Sequence, residues 1–231
     1  MGEARVRGLS KRRRDRGLFI TFEGPEGGGK STQIRHLASA LRRAGYRVIL
    51  TREPGGTTVA EAIRHILLLS STHEVITPET ESLLILAARS QHVTHVIAPA
   101  LQEGAVVLCD RFSDSTFAYQ GYARKLPLRW LKAANDMATG GIEPDLTLLF
   151  DLPVTIGLAR RRKAAGLQNR LDRESNRFHR SVRNGFLALA ARSPDRIKVI
   201  DANRPEQEIR TEVLSLVLSW VAERRGNLRR K

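Results

Sequence analysis

The segment Gly24–Ser31 constrains the fold more than any other part of this sequence, because it fits the phosphate-loop pattern G-x-x-x-x-G-K-[ST]. The apolar run Leu18–Phe22 precedes it. After it, apolar residues recur at helical spacing at Ile34, Leu37, Ala38 and Leu41. A strand, a glycine loop and a helix in this order gather backbone N–H groups and a helix N-terminus around a phosphate. An ordinary glycine-rich turn is the alternative, but both flanks favour a site in which Lys30 reaches nucleotide phosphates and Ser31 ligates Mg²⁺.

Five short apolar runs alternate with helical patterns along the chain. The runs are Leu18–Phe22, Val48–Leu50, Ala105–Cys109, Leu146–Phe150 and Ile197–Ile200. Their continuous apolar character is typical of strands covered on both faces in a parallel sheet. Between them, one helix is predicted from Thr77 to about Gln102, and a last helix carries an apolar stripe from Ile209 to Val221. The sequence therefore predicts an α/β fold with a doubly wound, five-stranded parallel sheet flanked by helices.

The composition indicates one sizeable domain with basic ends. The chain has 231 residues, of which 41% are hydrophobic, and its net charge is +15. Residues 1–17 hold seven Lys or Arg against two Asp or Glu, and residues 223–231 hold five against one. We therefore expect a basic, disordered extension at 1–16, a single domain at 17–222 and a basic tail at 223–231. Such ends can bind nucleic acid, but a nucleic-acid-binding protein should carry its charge on the folded body.

The sequence favours a cytoplasmic protein. It holds no apolar run long enough to span a membrane, and residues 1–17 lack the apolar segment of a secretory signal. Cys109 is the only cysteine, so it cannot form an internal disulfide, and this fits a reducing compartment.

Polar residues follow each predicted strand at its carboxyl end. They are Glu23, Thr51–Thr57, Asp110–Phe112, Asp151 and Asp201. In open α/β sheets, ligands bind outside the carboxyl ends of the strands, so these residues are expected to surround one site. Asp110 stands where P-loop enzymes carry the acidic residue that holds Mg²⁺, although a helix N-cap is the alternative role.

A second substrate with a phosphate, a sugar and a base is indicated beside the glycine loop. Arg52 and Arg111 lie at the predicted rim, and a guanidinium can grip a phosphate at two points. The segment Ser115–Gln120 adds hydroxyls, an amide and a ring, which suit a sugar and a base. Arg89 lies among apolar neighbours on a predicted helix, where it needs either a ligand or a nearby carboxylate as partner.

Taken together, five stretches of the chain are more specific than the phosphate loop alone. They are Phe22–Thr32, Thr51–Thr57, Ala87–Arg89 with Gln91, Asp110–Gly121 and Pro144–Asp151. They resemble the thymidylate kinase family, of the bacterial kind, from about Leu18 to Val221. The resemblance implies a P-loop nucleoside-monophosphate-kinase-like fold with a small mobile lid and a homodimer. It also implies phosphorylation of dTMP to dTDP with Mg-ATP in dTTP biosynthesis.

The resemblance implies a role for each matching residue. For ATP, it implies contacts from Gly24, Pro25, Glu26, Gly27, Gly28, Gly29, Lys30, Ser31, Thr32 and Arg160. For dTMP, it implies contacts from Arg52, Glu53, Pro54, Ile85, Arg89, Arg111, Ser115, Thr116, Tyr119 and Gln120. The implied metal ligands are Ser31 and Asp110, and the implied catalytic residues are Glu26, Lys30, Arg111 and Arg170.

Within this scheme, Glu26 approaches the sugar 3′-hydroxyl and Arg111 holds the acceptor phosphate. Arg89 contacts the base, and Arg160 lies against adenine. The glycine loop has no basic residue before Lys30. Family members of this type supply a catalytic arginine from the lid, which is expected here at about 160–173 with Arg170 as the donor.

Two departures from the family pattern stand out. Asn169 replaces the usual lid aspartate, which affects how Arg170 is oriented. Ile85 stands where an aromatic ring usually stacks on thymine, four residues before Arg89. Because base–aromatic stacking is worth roughly 1–3 kcal/mol per base, Ile85 puts acceptor affinity and base selectivity in question.

Two other enzyme classes share some of these motifs. The stretch Asn169–Asp172 resembles the N-K-x-D motif of GTPases, but it follows no buried strand, and no D-x-x-G follows Ala105–Cys109. Another P-loop nucleoside or nucleotide monophosphate kinase is the closer alternative, and the choice of acceptor discriminates it.

Overall fold

The computed structural model describes residues 16–68, 75–163 and 169–229. The strands of this part of the chain are β1 (Leu18–Glu23), β2 (Val48–Arg52), β3 (Val106–Asp110), β4 (Leu146–Asp151) and β5 (Ile197–Asp201). The helices are α1 (Lys30–Arg43), α2 (Thr58–Leu68), α3 (Pro78–His92), α4 (Ala98–Gln102), α5 (Ser113–Thr116), α6 (Leu128–Thr139), α7 (Val154–Lys163), α8 (Asn176–Arg192) and α9 (Glu206–Arg229). Two π-helical turns, Val93–Ile97 and Phe117–Ala123, follow α3 and α5, and a 3₁₀ turn spans Leu171–Arg173.

The five strands form one parallel sheet in the order β2-β3-β1-β4-β5. The predicted fold class is therefore confirmed. The register aligns the strand ends, since Phe22 of β1 and Arg52 of β2 both lie opposite Asp110 of β3. After β3 the chain crosses to the other side of β1, so the loop that follows β1 opens at the point where the strand order reverses.

The strands end later than the apolar runs predict. Observed strands close on the polar residues Glu23, Arg52, Asp110, Asp151 and Asp201. The backbone of these residues stays in the hydrogen-bonded ladder, as when Glu53 N donates to Asp110 O at 3.0 Å. A polar residue can therefore belong to the last rung of the sheet, and the end of apolar character marks a strand end one or two residues too early.

The predicted long helix forms over Pro78–Gln102, with one irregularity. Thr77 accepts a hydrogen bond from the N–H of Thr80 at 3.2 Å and caps its first turn. The π-helical turn Val93–Ile97 interrupts the regular hydrogen bonding between α3 and α4. Apolar periodicity alone does not reveal such a turn, because the chain continues in the same direction through it.

The core lies on both faces of the sheet and fixes the strand ends in space. On one face, Leu37 and Leu41 of α1 and Val217 of α9 are fully buried, and Phe22 stacks on Phe150 at 5.7 Å. On the other face, a second apolar cluster contains Phe19, Ile97, Leu101, Val107 and Phe112. Burial of each such side chain contributes roughly 1.5–3 kcal/mol, so the sheet is a firm base for the residues at its carboxyl edge.

The basic ends are described only in part. Helix α9 continues through Arg229, so much of the predicted basic tail is helical. Arg16 and Arg224 both donate to the buried carboxylate of Asp145, at 3.2 and 3.1 Å. Residues 1–15 of the predicted extension, residues 164–168 of the predicted lid and residues 230–231 lie outside the described residues. Among the described residues, no helix combines the length and apolar character needed to cross a membrane.

Candidate active site

The glycine loop adopts a tight conformation that only glycine allows at two of its positions. Gly24 and Gly27 have φ values of 131° and 73°. A Cβ on Gly27 would lie 2.1 Å from the carbonyl oxygen of Gly157 in α7, so the loop also packs against that helix without room for a side chain. Lys30, the first residue of α1, folds its ammonium group back to the carbonyl oxygens of Gly24 and Pro25, at 3.0 and 2.6 Å. Burial, together with the charge of Arg111, lowers the pKa of Lys30 to about 8.

Two oxygen ligands meet where α1 begins and β3 ends. Ser31 Oγ donates a hydrogen bond to Asp110 Oδ2 at 2.6 Å. A hydroxyl and a carboxylate suit Mg²⁺, which takes few protein ligands and completes its shell with water and substrate phosphates. No cluster of three or more His, Cys, Asp or Glu suited to a metal occurs among the described residues.

Arg111 connects the glycine loop to the segment after β3. Its guanidinium donates to Glu26 Oε1 at 2.7 Å, to Gly24 O at 3.0 Å and to Ser115 Oγ at 3.2 Å. Tyr119 Oη donates to the same Glu26 oxygen at 3.0 Å, and Arg111 lies 5.2 Å from the Tyr119 ring centroid. Burial raises the pKa of Glu26, but the charges of Arg111 and Lys30 outweigh it and hold the pKa at about 2. The Glu26 carboxylate is therefore ionised at neutral pH.

The backbone of Arg111 has a φ of 70°, which is unfavourable for a residue with a side chain. Glu23, fully buried at the end of β1, supports this turn by accepting from Phe112 N at 2.8 Å and Ser115 Oγ at 2.5 Å. Burial and the nearby carboxylate of Asp114 raise the pKa of Glu23 to about 8. The buried carboxyl group of Glu23 thus stabilises the turn that carries Arg111 by accepting these hydrogen bonds.

Arg89 is one of the most deeply buried charged residues in the described part of the chain, with 1% of its surface exposed. Its Nε donates to Glu53 Oε2 at 2.7 Å, and its Nη1 donates to Thr116 Oγ1 at 2.9 Å and Asn135 Oδ1 at 2.8 Å. The sequence left open whether Arg89 pairs with a ligand or with a nearby carboxylate. In the structure, Glu53 is that carboxylate. Among the described residues, Nη2 makes no hydrogen bond.

Gln120, which lines the same cavity as Arg89, presents a hydrogen-bond acceptor. Gln120 donates through Nε2 to Glu81 at 2.7 Å, which fixes the orientation of its amide because a carboxylate only accepts. Its Oε1 is buried and has no partner among the described residues. Ile85 lies one helical turn before Arg89 and borders the same cavity.

A third arginine joins Arg52 and Arg111 at the cavity rim. Arg64 of α2 donates to Pro54 O at 2.9 Å, while Arg52 pairs with Glu61 at 3.1 Å. Burial and the charge of Arg52 lower the pKa of Arg64. Sequence analysis missed Arg64, although it follows the REPGGT turn and comes directly after the apolar residues Ala62 and Ile63, a signal similar to the one that singled out Arg89.

The predicted lid residues face different partners. Arg161 lines the cavity and pairs with Asp172 at 2.9 Å. Arg170 instead donates to Glu81 and to Leu67 O, and Arg160 donates to Ala202 O at 2.8 Å. Asn169, the departure from the family pattern, accepts from Leu171 N and Asp172 N at 2.9 and 3.1 Å and so holds the 3₁₀ turn.

These parts enclose one cavity of about 450 Å³. The predicted residues that line it are Glu26, Gly27, Gly28, Gly29, Lys30, Ser31, Thr32, Arg52, Glu53, Pro54, Ile85, Arg89, Asp110, Arg111, Ser115, Thr116, Tyr119 and Gln120. Gly24, Pro25, Arg160 and Arg170 do not line it. Besides Arg64 and Arg161, it is lined by Leu68, Phe112, Asn169 and Leu171, which the sequence did not assign to a substrate.

Comparison with known proteins gives the same family from sequence and from structure. A family model described as thymidylate kinase matches residues 22–213. A thymidylate kinase of Pseudomonas fluorescens is 51% identical over 210 residues, covering 91% of this chain and 99% of the relative. One of Geobacter sulfurreducens is 51% identical over 213 residues, covering 90% of this chain and 100% of the relative.

The solved structures agree with these matches. The crystal structure of a thymidylate kinase from Ehrlichia chaffeensis superposes with a TM-score of 0.70 at 32% identity, covering 87% of this chain and 98% of the other. Because the relatives match over nearly their whole length, this chain covers almost all of their fold. The chain, with a phosphate loop and a cavity of about 450 Å³ at one sheet edge, belongs to the thymidylate kinase family and is an enzyme that phosphorylates dTMP with ATP.

Proposed function

We propose that the chain transfers the γ-phosphoryl group of ATP to dTMP within this single cavity, with ATP on the glycine loop and thymine between Ile85, Arg89 and Gln120. The position of Arg111 carries the proposal. Its guanidinium bonds to Gly24 and Glu26 in the glycine loop and to Ser115 in the segment that leads to Gln120. It therefore borders both substrates at the place where a phosphoryl group passes between them.

The polar groups around the base site match the hydrogen-bonding edge of thymine. Arg89 Nη2 keeps its two N–H donors available, and thymine presents the O4 acceptor. The unpartnered Gln120 Oε1 accepts, and thymine N3 carries a proton. Cytosine reverses both polarities, since it presents an N4 amino donor and an N3 acceptor. This pair of side chains therefore supports selection of a thymine or uracil monophosphate over a cytosine one.

The cations at the rim support a role in binding and neutralising phosphates. Arg52, Arg64, Arg111 and Lys30 all line the cavity. We place the three arginines on the acceptor side and Lys30 on the ATP side. The acceptor phosphate is already an anion, so the reaction requires no general base. The protein's contribution is to place the two phosphates in line and to balance the charge that builds up between them.

We assign Mg²⁺ as the divalent metal, with Ser31 and Asp110 as its protein ligands. When bound, it neutralises the β- and γ-phosphate oxygens of ATP. The 2.6 Å hydrogen bond between Ser31 and Asp110 brings the two oxygens together beside the loop, which supports this assignment.

We assign Arg170 as the lid arginine that reaches the transferring phosphoryl group when the lid closes. In the structure it is paired with Glu81, and the lid must move for Arg170 to enter the cavity. Arg161, which already lines the cavity, is the competing donor. We place the boundary of the single kinase domain at 17–222, with the lid at about 160–173.

We further propose a homodimer that works in the cytoplasm. Helices α2, α3 and α6 pack side by side, and Ile66, Leu83 and Met137 on them have exposed fractions of 46%, 56% and 83%. Exposed apolar side chains on one layer of helices favour association with a second copy. Light scattering on the purified protein should give twice the mass of the chain. The unpaired, buried thiol of Cys109 fits a reducing compartment.

The proposal is tested by ADP release with a panel of nucleoside monophosphates. With Mg-ATP, dTMP should be the best acceptor, ahead of dUMP, CMP, AMP and GMP. Some dUMP activity is expected, because one missing methyl group is worth only roughly 1–3 kcal/mol. A preference for AMP or CMP would instead favour another monophosphate kinase.

A further inference from the structure

The orientation of Arg89 depends on a single carboxylate. Thr116 and Asn135 both bind Nη1, and Glu53 alone binds Nε. The guanidinium also lies 5.0 Å from the ring centroid of Phe112. Because a guanidinium is planar, the position of the Nε bond sets where Nη2 points. Displacement of Glu53 would therefore change the direction of the two Nη2 N–H donors of Arg89, a residue that lines the cavity.

Glu53 is itself held by a buried histidine. Its second oxygen, Oε1, lies 3.0 Å from His92 Nδ1, and His92 Nε2 lies 2.6 Å from Thr51 Oγ1. A carboxylate can only accept, so His92 Nδ1 carries the proton and donates. Thr51, His92 and Glu53 therefore form a hydrogen-bonded chain that ends on the base-binding arginine.

His92 has no access to a ligand. It is 0% exposed and does not line the cavity. The turn of the REPGGT segment encloses it, since a Cβ on Gly56 would lie 2.6 Å from the imidazole ring. Any contribution to substrate selection must therefore pass through its neighbours, and of its two hydrogen-bond partners Glu53 is the one that lines the cavity.

We propose that His92 is a positioning residue for base recognition: it fixes Glu53, which in turn sets the orientation of Arg89 toward the pyrimidine edge. The inference rests on the proposed role of Arg89 and extends it to a residue that touches no substrate. The hydrogen bond from Nδ1 to Glu53 then has a larger effect on acceptor binding than the packing of the imidazole ring.

Three substitutions separate the two hydrogen bonds from packing. His92→Asn places an amide near the position of Nδ1 and can still donate to Glu53. His92→Gln places its amide near Nε2 and keeps only the contact with Thr51. His92→Leu fills a similar volume and removes both. We expect KM for dTMP to rise roughly tenfold in His92→Gln and His92→Leu, the loss expected for one buried hydrogen bond. His92→Asn should stay close to the unsubstituted enzyme.

The turnover number and KM for ATP should change little in all three variants, and the preference for dTMP over dCMP should fall in His92→Gln. Because KM does not depend on the concentration of active enzyme, partial unfolding does not imitate this pattern. Equal KM values for His92→Asn and His92→Gln would overturn the inference, as would an unchanged KM in His92→Leu. An Arg89→Leu variant separates the two levels, since an unchanged KM for dTMP there would reject the proposed base site itself.

Discussion

Ser31 Oγ lies 2.6 Å from Asp110 Oδ2, although the two residues are 79 positions apart in the chain. The parallel pairing of β1 with β3 creates this contact, because Asp110 ends β3 opposite Phe22, just before the glycine loop. The contact joins two separate motifs, the GKS of the loop and the acidic residue after a strand, and the proposed Mg²⁺ site is based on it.

Substitution of Asp110 by Asn tests that site. The change keeps the shape of the side chain and removes its charge, so the concentration of Mg²⁺ needed for half-maximal activity should rise roughly 10- to 100-fold. A titration of activity with Mg²⁺ at fixed ATP measures it. Asp136→Asn is the matched control, since the side chain of Asp136 is about half exposed and pairs with Lys132 of the same helix. Equal Mg²⁺ dependence in the two variants would show that Asp110 is not a ligand of the metal.

The lid arginine is identified by comparing Arg170→Ala with Arg161→Ala. If Arg170 enters the cavity on closure, its removal should lower kcat by roughly 10³-fold, as for a lost arginine finger, and should change KM for both substrates less. Single-turnover kinetics with ATP and saturating dTMP measure the chemical step. A loss below about tenfold in Arg170→Ala with a large loss in Arg161→Ala would move the role to Arg161.

Glu81 gives a dependence of stability on pH. Burial raises its pKa, but the hydrogen bond from Gln120, the charge of Arg124 and the hydrogen bonds from Arg170 and Arg124 outweigh this and lower the pKa below its ordinary value. A lowered pKa stabilises the fold fully above the unfolded value of about 4.3, and this contribution is lost as pH falls through the folded pKa.

Glu81→Gln should therefore be less stable than the unsubstituted protein at pH 7, by roughly 1–3 kcal/mol, and the difference should shrink at more acidic pH. Urea unfolding at pH 7 and at about pH 3.5 measures both values. Glu79→Gln, two residues away on the exposed side of the same helix, is the control and should show no such change. A difference that stays constant with pH would show that Glu81 acts through shape alone.

Ile85 tests the face of the base. Restoring a ring with Ile85→Phe should tighten dTMP binding by up to roughly 1–3 kcal/mol if stacking is recovered. Overpacking by the larger ring opposes this gain by a similar free energy. The Ile85→Ala variant avoids overpacking and should weaken dTMP binding. Calorimetry of dTMP binding, with melting temperatures as the control, gives the result. If neither substitution changes the affinity, Ile85 does not face the base.

The glycine-loop motif and the five-stranded parallel sheet could be predicted from the sequence because they depend on local chemistry. Glycines at Gly24 and Gly27 and apolar runs at five strands carry their own structural signal. The partners of Arg170 and Arg89 could not be predicted in this way. Glu81 lies 89 residues from Arg170 and Glu53 lies 36 from Arg89, so each pairing depends on how helices and turns pack.

His92 illustrates the same limit more clearly. In the sequence it is a histidine on an apolar helix, and such a residue carries no functional signal. Only the fold places it between Thr51 and Glu53, next to the residues of the proposed base site. Arg64 is an intermediate case, since its apolar neighbours were visible but its direction into the cavity was not.

The proposed recognition of thymine depends on the polarity of the base site, and one pair of nucleotides tests this polarity most directly. 5-Methyl-dCMP keeps the methyl group, sugar and phosphate of dTMP and reverses only the hydrogen-bonding edge that faces Arg89 and Gln120. Its kcat/KM should be lower than that of dTMP by at least roughly 10²-fold, because two buried groups would meet partners of the wrong polarity. Similar kcat/KM values for the two nucleotides would contradict recognition of thymine by Arg89 and Gln120.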